Sequence, residues 1–319
     1  MGKYILKRIS TFIPMVLVMS FLIYGGIEMA PGDFVSKMIP MDTLARMTPE
    51  EVEAIRAAYG LDQPFVIRYL KWVWQILQGN WGTSMSSGVP VKDIILQKLP
   101  ITMELALTGL VISAILGCIF GIISALRRGQ LTDQILTFAG IVGLSIPQFF
   151  FGSLAILFFA LKLHWLPSGG RTTPDMIYWY EHLRYLILPG MVLGVTQTAS
   201  VMRYARSSML ESMNKDYVKT ARSKGLPEWK VNLKHGFRVS MMPVVVLLGL
   251  RVPFLISSCV VIENVFQWPG IGQVFKDAVW MGNYNLVMMI ALIMVIMVLI
   301  ISLFLDIMTR VLDPRVKFN

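Results

Sequence analysis

The residues that most often carry covalent chemistry or bind metals are scattered in this sequence. Its three histidines are His164, His182 and His235, and no H-E-x-x-H pattern places two of them on one helical face. The G-x-x-x-x-G-K-[ST] loop that holds nucleotide phosphates is missing, and no apolar stretch pairs an obvious nucleophile with a base. The sequence therefore predicts neither a catalytic nor a metal site in this chain.

Charges of both signs are concentrated in one segment, residues 203–240. Its central part carries Glu211, Lys215, Asp216, Lys219, Arg222, Lys224, Glu228 and Lys230. Side chains of both signs can pair with a second protein, so a docking element is one interpretation. A solvated connector between membrane helices is the other.

One charge, Arg251, lies in the middle of an apolar stretch, residues 241–262. At ~1.5 Å per helical residue it is about 15 Å from either end. An arginine there costs roughly 2.5–3.5 kcal/mol on insertion scales unless it is paired or hydrated. We expect it to face a cavity or a partner chain, or to pair with Glu104 or Glu263.

The elements that position these residues are those of an integral membrane protein. Of the 319 residues 55% are hydrophobic and 15% charged, with a mean hydropathy of +0.63. Soluble domains have about a quarter of their residues charged. The net charge of +10 lies mostly in short loops, where it sets topology, so nucleic-acid binding is excluded. Cys118 and Cys259 fall in apolar runs and indicate packing only.

We predict an all-α protein with about six transmembrane helices, since each crossing needs roughly 20 apolar residues. The six stretches are 10–27, 101–126, 134–161, 185–202, 241–262 and 286–305. One set of segments, the N-terminus, the loops 127–133 and 203–240 and the C-terminal tail, carries 17 basic and six acidic residues. The opposite loops carry 11 basic residues and, with Glu28 assigned to the end of the first span, 11 acidic ones. Positive charge accumulates on the cytoplasmic side, so both termini are predicted to be cytoplasmic.

Residues 1–100 are predicted to form an N-terminal part, with an anchor helix (10–27) and an extracytoplasmic loop domain (28–100). Within that loop, Thr48-Pro49-Glu50-Glu51 is typical of a helix start, and the helix should end near Tyr59-Gly60. The aromatic run 64–77 suits a helix at the membrane interface. A solvated cap without a partner is the alternative.

Residues 101–319 are predicted to form a core of five spans with a cytoplasmic loop, 203–240. In that loop Ser207–Lys224 is predicted to be one helix, and Gly225 to follow it at a position that needs positive φ. Pro227 should open a second helix that runs through Lys234.

Two prolines inside spans, Pro147 and Pro189, are predicted to interrupt helices. Such breaks are tolerated where a cavity or neighbouring helices satisfy the freed carbonyls, so these prolines either mark a path or only bend packed helices. The spacings Gly117–Gly121 and Gly190–Gly194 favour close helix packing.

Four separated motifs carry a family resemblance. They are residues 216–244 (DYVKTARSKGLPEWKVNLKHGFRVSMMPV), 261–275 (VIENVFQWPGIGQVF), the tail 312–318 (LDPRVKF), and the N-terminal pair Ala30-Pro31-Gly32-Asp33 and Tyr59-Gly60-Leu61-Asp62. In these motifs the chain resembles the membrane subunits of ABC importers, specifically the oligopeptide/dipeptide permease branch. Asn283-Tyr284-Asn285 departs from the Asp-Tyr-Pro that is common in the branch.

The resemblance implies the type I ABC importer permease fold and a transport role in a prokaryotic inner or plasma membrane. It implies that the 203–240 loop couples to an ATPase subunit; the coupling residues would be Asp216, Lys219, Thr220, Ala221, Arg222, Lys224, Gly225 and Glu228. Pro147, Pro189, Arg251 and Glu263 are candidates for the translocation path.

The partners implied by the resemblance are a second homologous permease, two nucleotide-binding ATPase subunits, an extracytoplasmic substrate-binding protein and membrane lipid. The chain itself would need no cofactor, since ATP and Mg²⁺ would be bound by the ATPase subunits. Peptides are the leading substrate class, and oligosaccharides or nickel complexes are alternatives. A secondary transporter or a membrane scaffold is a more distant possibility, because no internal repeat of spans and no chain of membrane carboxylates is evident.

Overall fold

The computed structural model describes residues 2–29, 41–58, 63–172 and 180–312. Within these ranges the regular secondary structure is helical, apart from one β-bridge between Thr83 and Pro90, and the predicted all-α class is confirmed. The helices are α1 (Gly2–Glu28), α2 (Met41–Leu44), α3 (Pro49–Ala58), α4 (Phe65–Leu77), α5 (Val91–Leu126), α6 (Leu131–Ser145), α7 (Gln148–Ala155), α8 (Leu183–Met213), α9 (Asp216–Ser223), α10 (Glu228–Lys230), α11 (Arg238–Val265), α12 (Ile271–Trp280) and α13 (Tyr284–Leu312). Two π-helical turns, Ile156–Lys162 and Val231–Phe237, continue α7 and α10.

The described residues contain five helical segments that are long and apolar enough to cross a membrane. They are Ser10–Glu28, Val91–Leu126, Leu183–Met213, Glu228–Val265 and Tyr284–Ile307. A sixth candidate is the pair Leu131–Ser145 and Gln148–Lys162, which is bent by 103°. The prediction of about six spans is therefore confirmed by length and composition.

The third predicted span, 134–161, is not one continuous helix. It breaks at Ile146 and Pro147, which are both extended, with ψ of 125° and 135°. A proline disfavours the helical conformation of the residue before it and offers no N–H to the preceding turn. Pro147 thus interrupts the helix as predicted, and α6 and α7 take different directions.

Pro189, by contrast, does not interrupt a helix, so that prediction is wrong. It is the seventh residue of α8 and is buried, and the helix continues through it. A proline removes the one N–H that would bond to the carbonyl four residues earlier, here that of Tyr185. Since Tyr185 lies in the first turn of α8, the loss falls near a helix end.

The single helix predicted for Ser207–Lys224 is also wrong, because α8 ends at Met213 and α9 begins at Asp216. The Asn214 side chain donates to the Leu210 carbonyl (3.1 Å), and Lys215 is extended with ψ of 154°. Asparagine competes for backbone hydrogen bonds in this way, which favours helix ends. The second predicted helix does begin after Pro227, but it continues past Lys234 into α11.

The chain divides into two compact units, and the first comprises Met1–Pro100 and Gln273–Leu303. Its core contains Tyr24, Tyr69 and Met288, with the amphipathic α4 packed on α1. The Tyr69 and Ser20 hydroxyls are 2.7 Å apart, and Arg68 forms an ion pair with Glu28 (2.7 Å).

The helix start predicted at Thr48 is confirmed. The Thr48 N–H donates to the Glu51 carboxylate (2.8 Å), and the Glu51 N–H donates to the Thr48 hydroxyl (3.3 Å). This reciprocal pair satisfies two backbone donors at the start of α3. The predicted helix end at Tyr59-Gly60 and the motif residues 30–33, 59–62 and 313–318 lie outside the described residues.

The second unit comprises Ile101–Gly272 and Phe304–Asn319, and it is built around α8. This helix packs against α6, α7 and α11. A Cβ built on Gly117 would lie 2.5 Å from the Val201 Cβ, and one on Gly194 would lie 2.6 Å from the Ile112 Cβ. The close packing predicted from the glycine spacings is therefore confirmed for α5 against α8.

Candidate functional site

The candidate site is a helical hairpin, residues 216–237, made of α9, a turn and α10 with its π-helical continuation. Its interior is small and apolar: Val218, Ala221 and Val231 are buried, and Met213 and Leu226 pack around them. Ala221 is the one buried residue among the eight predicted coupling residues. An alanine at this position lets the two arms approach closely.

Gly225 forms the turn between the two arms. Its φ is +70°, as predicted, and its N–H donates to the Arg222 carbonyl (2.9 Å). No heavy atom lies within 4 Å of the position that a Cβ would occupy. Glycine is therefore required here by backbone conformation and not by lack of space. Pro227 follows in an extended conformation and opens α10.

The outer surface of the hairpin carries charges of both signs in exposed pairs. The Lys219 ammonium lies 2.9 Å from Asp216, and the Arg222 guanidinium lies 2.9 Å from Glu228. The hydrogen bond from Lys219 holds the pKa of Asp216 below its usual value. Exposed pairs of this kind contribute about 0–1 kcal/mol, so they can be exchanged for partners on another protein with little loss.

The other predicted coupling residues are also exposed, and an aromatic side chain joins them. The Thr220 hydroxyl donates to the Asp216 carbonyl (2.9 Å), and Lys224 lies beside the turn. Trp229 is 61% exposed, and the Lys230 ammonium lies 5.4 Å from its ring centre. Trp229 was not predicted from the sequence to belong to this surface. Its spacing of four residues from Leu233, which is also exposed, could have indicated an apolar stripe on the hairpin.

The hairpin is tied to α8 and α11 by hydrogen bonds at its base. The Ser212 hydroxyl, at the end of α8, donates to the Gly236 carbonyl (3.0 Å), and the Ser208 hydroxyl donates to the Ser240 carbonyl (2.7 Å). Val231–Phe237 continues directly into α11. A displacement of the hairpin would therefore pull on α8 and α11 together.

A partly buried ion pair braces the start of α6. The Arg206 guanidinium of α8 donates two hydrogen bonds of 2.8 Å to the two oxygens of Asp133. Asp133 is buried and also accepts from the Ser124 hydroxyl (2.5 Å) and from the Gly129 N–H (2.9 Å). This pair joins the first turn of α6 to α8, and neither residue was singled out from the sequence.

The residues predicted to line a path lie in different surroundings. Pro147 stands at the break before α7, and Pro189 is buried in α8. Glu263 is completely buried and accepts hydrogen bonds from the Thr102 hydroxyl (2.5 Å) and the Gly272 N–H (2.7 Å). In this structure it holds the turn after α11. Arg251 is partly exposed in the middle of α11.

The pairing of Arg251 with Glu104 or Glu263 is not formed. Glu104 binds the guanidinium of Arg171 (2.9 Å) and lies 2.9 Å from His182 Nε2. Among the described residues Arg251 has no ion-pair partner, and it lines a pocket between α8 and α11.

Comparison with known sequences decides the family. Residues 117–318 match the family described as "Binding-protein-dependent transport system inner membrane component". Residues 1–106 match "Binding-prot-dependent transport system membrane comp, N-term". The chain belongs to the binding-protein-dependent transport system inner membrane component family. It is a multi-pass membrane protein of a prokaryotic cell membrane, and its relatives are transport permeases.

Members of this family similar to the chain along its whole length include three transport proteins. The oligopeptide transport system permease protein AppB of Bacillus subtilis is 35% identical over 320 residues, which covers 100% of both chains. A putative peptide permease protein of Brucella ovis is 37% identical over 99% of both. The glutathione transport system permease protein GsiC of Escherichia coli K12 is 33% identical over 100% of both.

Two solved structures show the same fold at low sequence identity. The inward-facing MetNI methionine ABC transporter gives a TM-score of 0.57 at 15% identity, covering 70% of this chain and 98% of that chain. An amino acid ABC transporter solved with histidines gives 0.53 at 14% identity, covering 69% and 94%. The predicted ABC permease fold is therefore confirmed.

Proposed function

We propose that this chain is one of two homologous permease subunits of an ATP-driven importer that takes up peptides. Its full-length relatives are named as permeases for oligopeptides, peptides and glutathione, and glutathione is itself a small peptide. Two ATPase subunits would bind ATP and Mg²⁺, and an extracytoplasmic binding protein would deliver the substrate. The chain itself performs no covalent step.

The observation that carries the coupling role is the construction of the hairpin. Its small buried core and glycine turn make it compact, its charges are exposed, and its base is bonded to two membrane helices. We assign Asp216, Lys219, Thr220, Arg222, Lys224 and Glu228 to contacts with an ATPase subunit. Ala221 and Gly225 keep the shape of the hairpin. The excess of basic residues in the 203–240 loop supports a cytoplasmic position for it and for both termini.

In this mechanism the hairpin moves with the ATPase subunit as a rigid body. ATP-driven closure of the two ATPase subunits would displace the hairpins, and the hydrogen bonds of Ser208 and Ser212 would pass the displacement to α8 and α11. Packed helices shift between discrete arrangements more readily than they deform. The path between the two permeases would thus open alternately to each side.

The experiment is uptake by the reconstituted complex. The chain would be purified in mild detergent with its partners and placed in proteoliposomes with the binding protein. We expect ATP-dependent accumulation of a labelled peptide from a mixed pool. Accumulation of oligosaccharides and no peptide would contradict the substrate assignment, and uptake without any ATPase subunit would contradict the coupling assignment.

A further inference from the structure

A pocket of 300 Å³ opens between α8 and α11. Ser200, Arg203, Tyr204 and Ser207 line it from α8, and Leu247 and Arg251 line it from α11. The α8 residues are spaced by three or four, as are the α11 residues, so each set forms one face of its helix. The pocket is therefore a groove between two facing helix surfaces.

The lining is cationic and contains no acid. Arg203 and Arg251 bring two guanidinium groups to one pocket, and neither forms an ion pair within the ranges that the structure describes. The nearest candidates from the sequence, Glu104 and Glu263, are engaged elsewhere. Arg203 is exposed and Arg251 is partly exposed, so both guanidinium groups are accessible to an anion, and two positive charges attract it more strongly than one.

The hydroxyl groups of the pocket are also available for a ligand. Serines elsewhere in the membrane helices, such as Ser113, Ser153 and Ser258, donate to a carbonyl three or four residues earlier. Ser200, only 9% exposed, and Ser207 form no such bond with any described residue. Both hydroxyl groups open into the pocket, where they can donate to or accept from a polar ligand.

We propose that this pocket binds the C-terminal carboxylate of the transported peptide, with Arg251 and Arg203 as the cationic ligands and Ser200 as a hydrogen-bond donor. The planar guanidinium fork matches a carboxylate in a bidentate manner. The inference rests on the proposed function and extends it: the free carboxylate, which every unmodified peptide carries, becomes a recognised group inside the membrane subunit.

The position of the pocket favours a transported ligand over a permanent one. It lies between α8 and α11, the two helices to which the base of the hairpin is bonded. Movement of the hairpin would displace both helices, and a difference between the two displacements would change the separation of the two arginines and weaken their contacts with a carboxylate. A site that must release its ligand in each cycle needs such a coupling.

The test measures the uptake of a peptide and of its C-terminal amide by proteoliposomes that contain either the wild-type complex or a variant complex. The ratio of variant to wild-type uptake is taken for each peptide separately, so that a preference of the binding protein cancels. We expect Arg251→Gln and Arg203→Gln each to slow uptake of the free acid about tenfold relative to the amide, which corresponds to about 1.4 kcal/mol. Arg251→Lys should show a smaller effect, because an ammonium keeps the charge and loses the fork. Arg128→Gln, in the loop after α5, is the matched control and should slow neither.

Equal slowing of the acid and the amide, or no slowing of either, would overturn the carboxylate site. Loss of the second permease from the purified variant complex would also overturn it, because the arginines would then pair with that subunit. These outcomes leave the proposed function intact. If the wild-type complex imports neither peptide, the proposed function itself fails and the carboxylate site fails with it.

Discussion

Replacing Gly225 with valine strains the turn of the hairpin without creating a steric clash. The glycine has φ of +70°, and nothing lies within 4 Å of the position of a Cβ. The whole effect of Gly225→Val is therefore conformational. A left-handed conformation costs an L-residue roughly 1–2 kcal/mol, and β-branched side chains tolerate it least.

Two exposed ion pairs and a small apolar core stabilise the hairpin against this strain. The exposed pairs Lys219–Asp216 and Arg222–Glu228 contribute about 0–1 kcal/mol each. The buried Val218 and Val231 contribute roughly 1.5–3 kcal/mol each, so the arms remain folded. A strain of about 1.4 kcal/mol changes the ratio of native to altered turn tenfold. We expect about tenfold slower uptake with normal membrane insertion.

The assay is ATP-dependent uptake in proteoliposomes, with the amount of assembled complex measured in parallel. Gly225→Asn is the conservative variant and should keep most activity, since asparagine tolerates positive φ. Gly88→Val is the matched control: Gly88 has φ of +68° and the same open space, but it lies outside the hairpin. Undiminished uptake by Gly225→Val, or an equal loss in Gly88→Val, would refute the reasoning.

The remaining predictions concern assembly, packing and substrate. Native mass measurement of the detergent complex should find a second permease and two ATPase subunits; a complex of this polypeptide alone would contradict the quaternary proposal. Arg206→Leu should lower the midpoint of thermal unfolding by a few degrees, because the Asp133 carboxylate loses its cation and keeps only the Ser124 hydroxyl and the Gly129 N–H as donors, at a cost of about 1–3 kcal/mol. Arg206→Leu combined with Asp133→Leu should recover most of the loss, and an unchanged midpoint in the single variant would show that the pair is unimportant. Thr102→Val should lower the free energy of unfolding by about 1–3 kcal/mol, because the Glu263 carboxylate and the Ile271 N–H lose a buried partner. Thr132→Val, which removes only an exposed hydrogen bond from Arg127, should have little effect. The binding protein should gain about 2.7 kcal/mol of stability from peptides at a hundredfold excess over Kd, measured by thermal shift, and stabilisation by glycans alone would contradict the peptide assignment.

Local signals in the sequence predicted the local features well. Thr48 to Glu51 forms the expected capping pair, Gly225 has the expected positive φ, and Pro147 stops a helix. Each of these depends on the chemistry of one to four neighbouring residues. The six apolar stretches were identifiable because their length is imposed by the membrane and not by tertiary contacts.

Features that depend on distant contacts could not be predicted in this way. The break after Met213 lets Val218 and Ala221 pack on Val231, a contact that no local pattern encodes. The pair of Asp133 and Arg206 joins residues 73 positions apart.

The prediction for Pro189 was wrong because the number of hydrogen bonds that a proline removes from a helix depends on its distance from the first turn. Sequence signals place helix ends only approximately. Only one of the two arginines in the pocket, Arg251, could be identified from the sequence. The position of Arg251 indicated a cavity, but the second arginine is 48 positions earlier and comes from a different helix.

The central claim, that the hairpin contacts an ATPase subunit, is tested most directly by photo-crosslinking in the intact complex. A photoreactive residue in place of the exposed Thr220 should form an adduct with a subunit that carries a G-x-x-x-x-G-K-[ST] phosphate loop, identified by mass spectrometry. The same residue in place of Trp280, which is 84% exposed on α12, should not reach that subunit. An ATPase adduct from position 280 with none from position 220 would contradict the account.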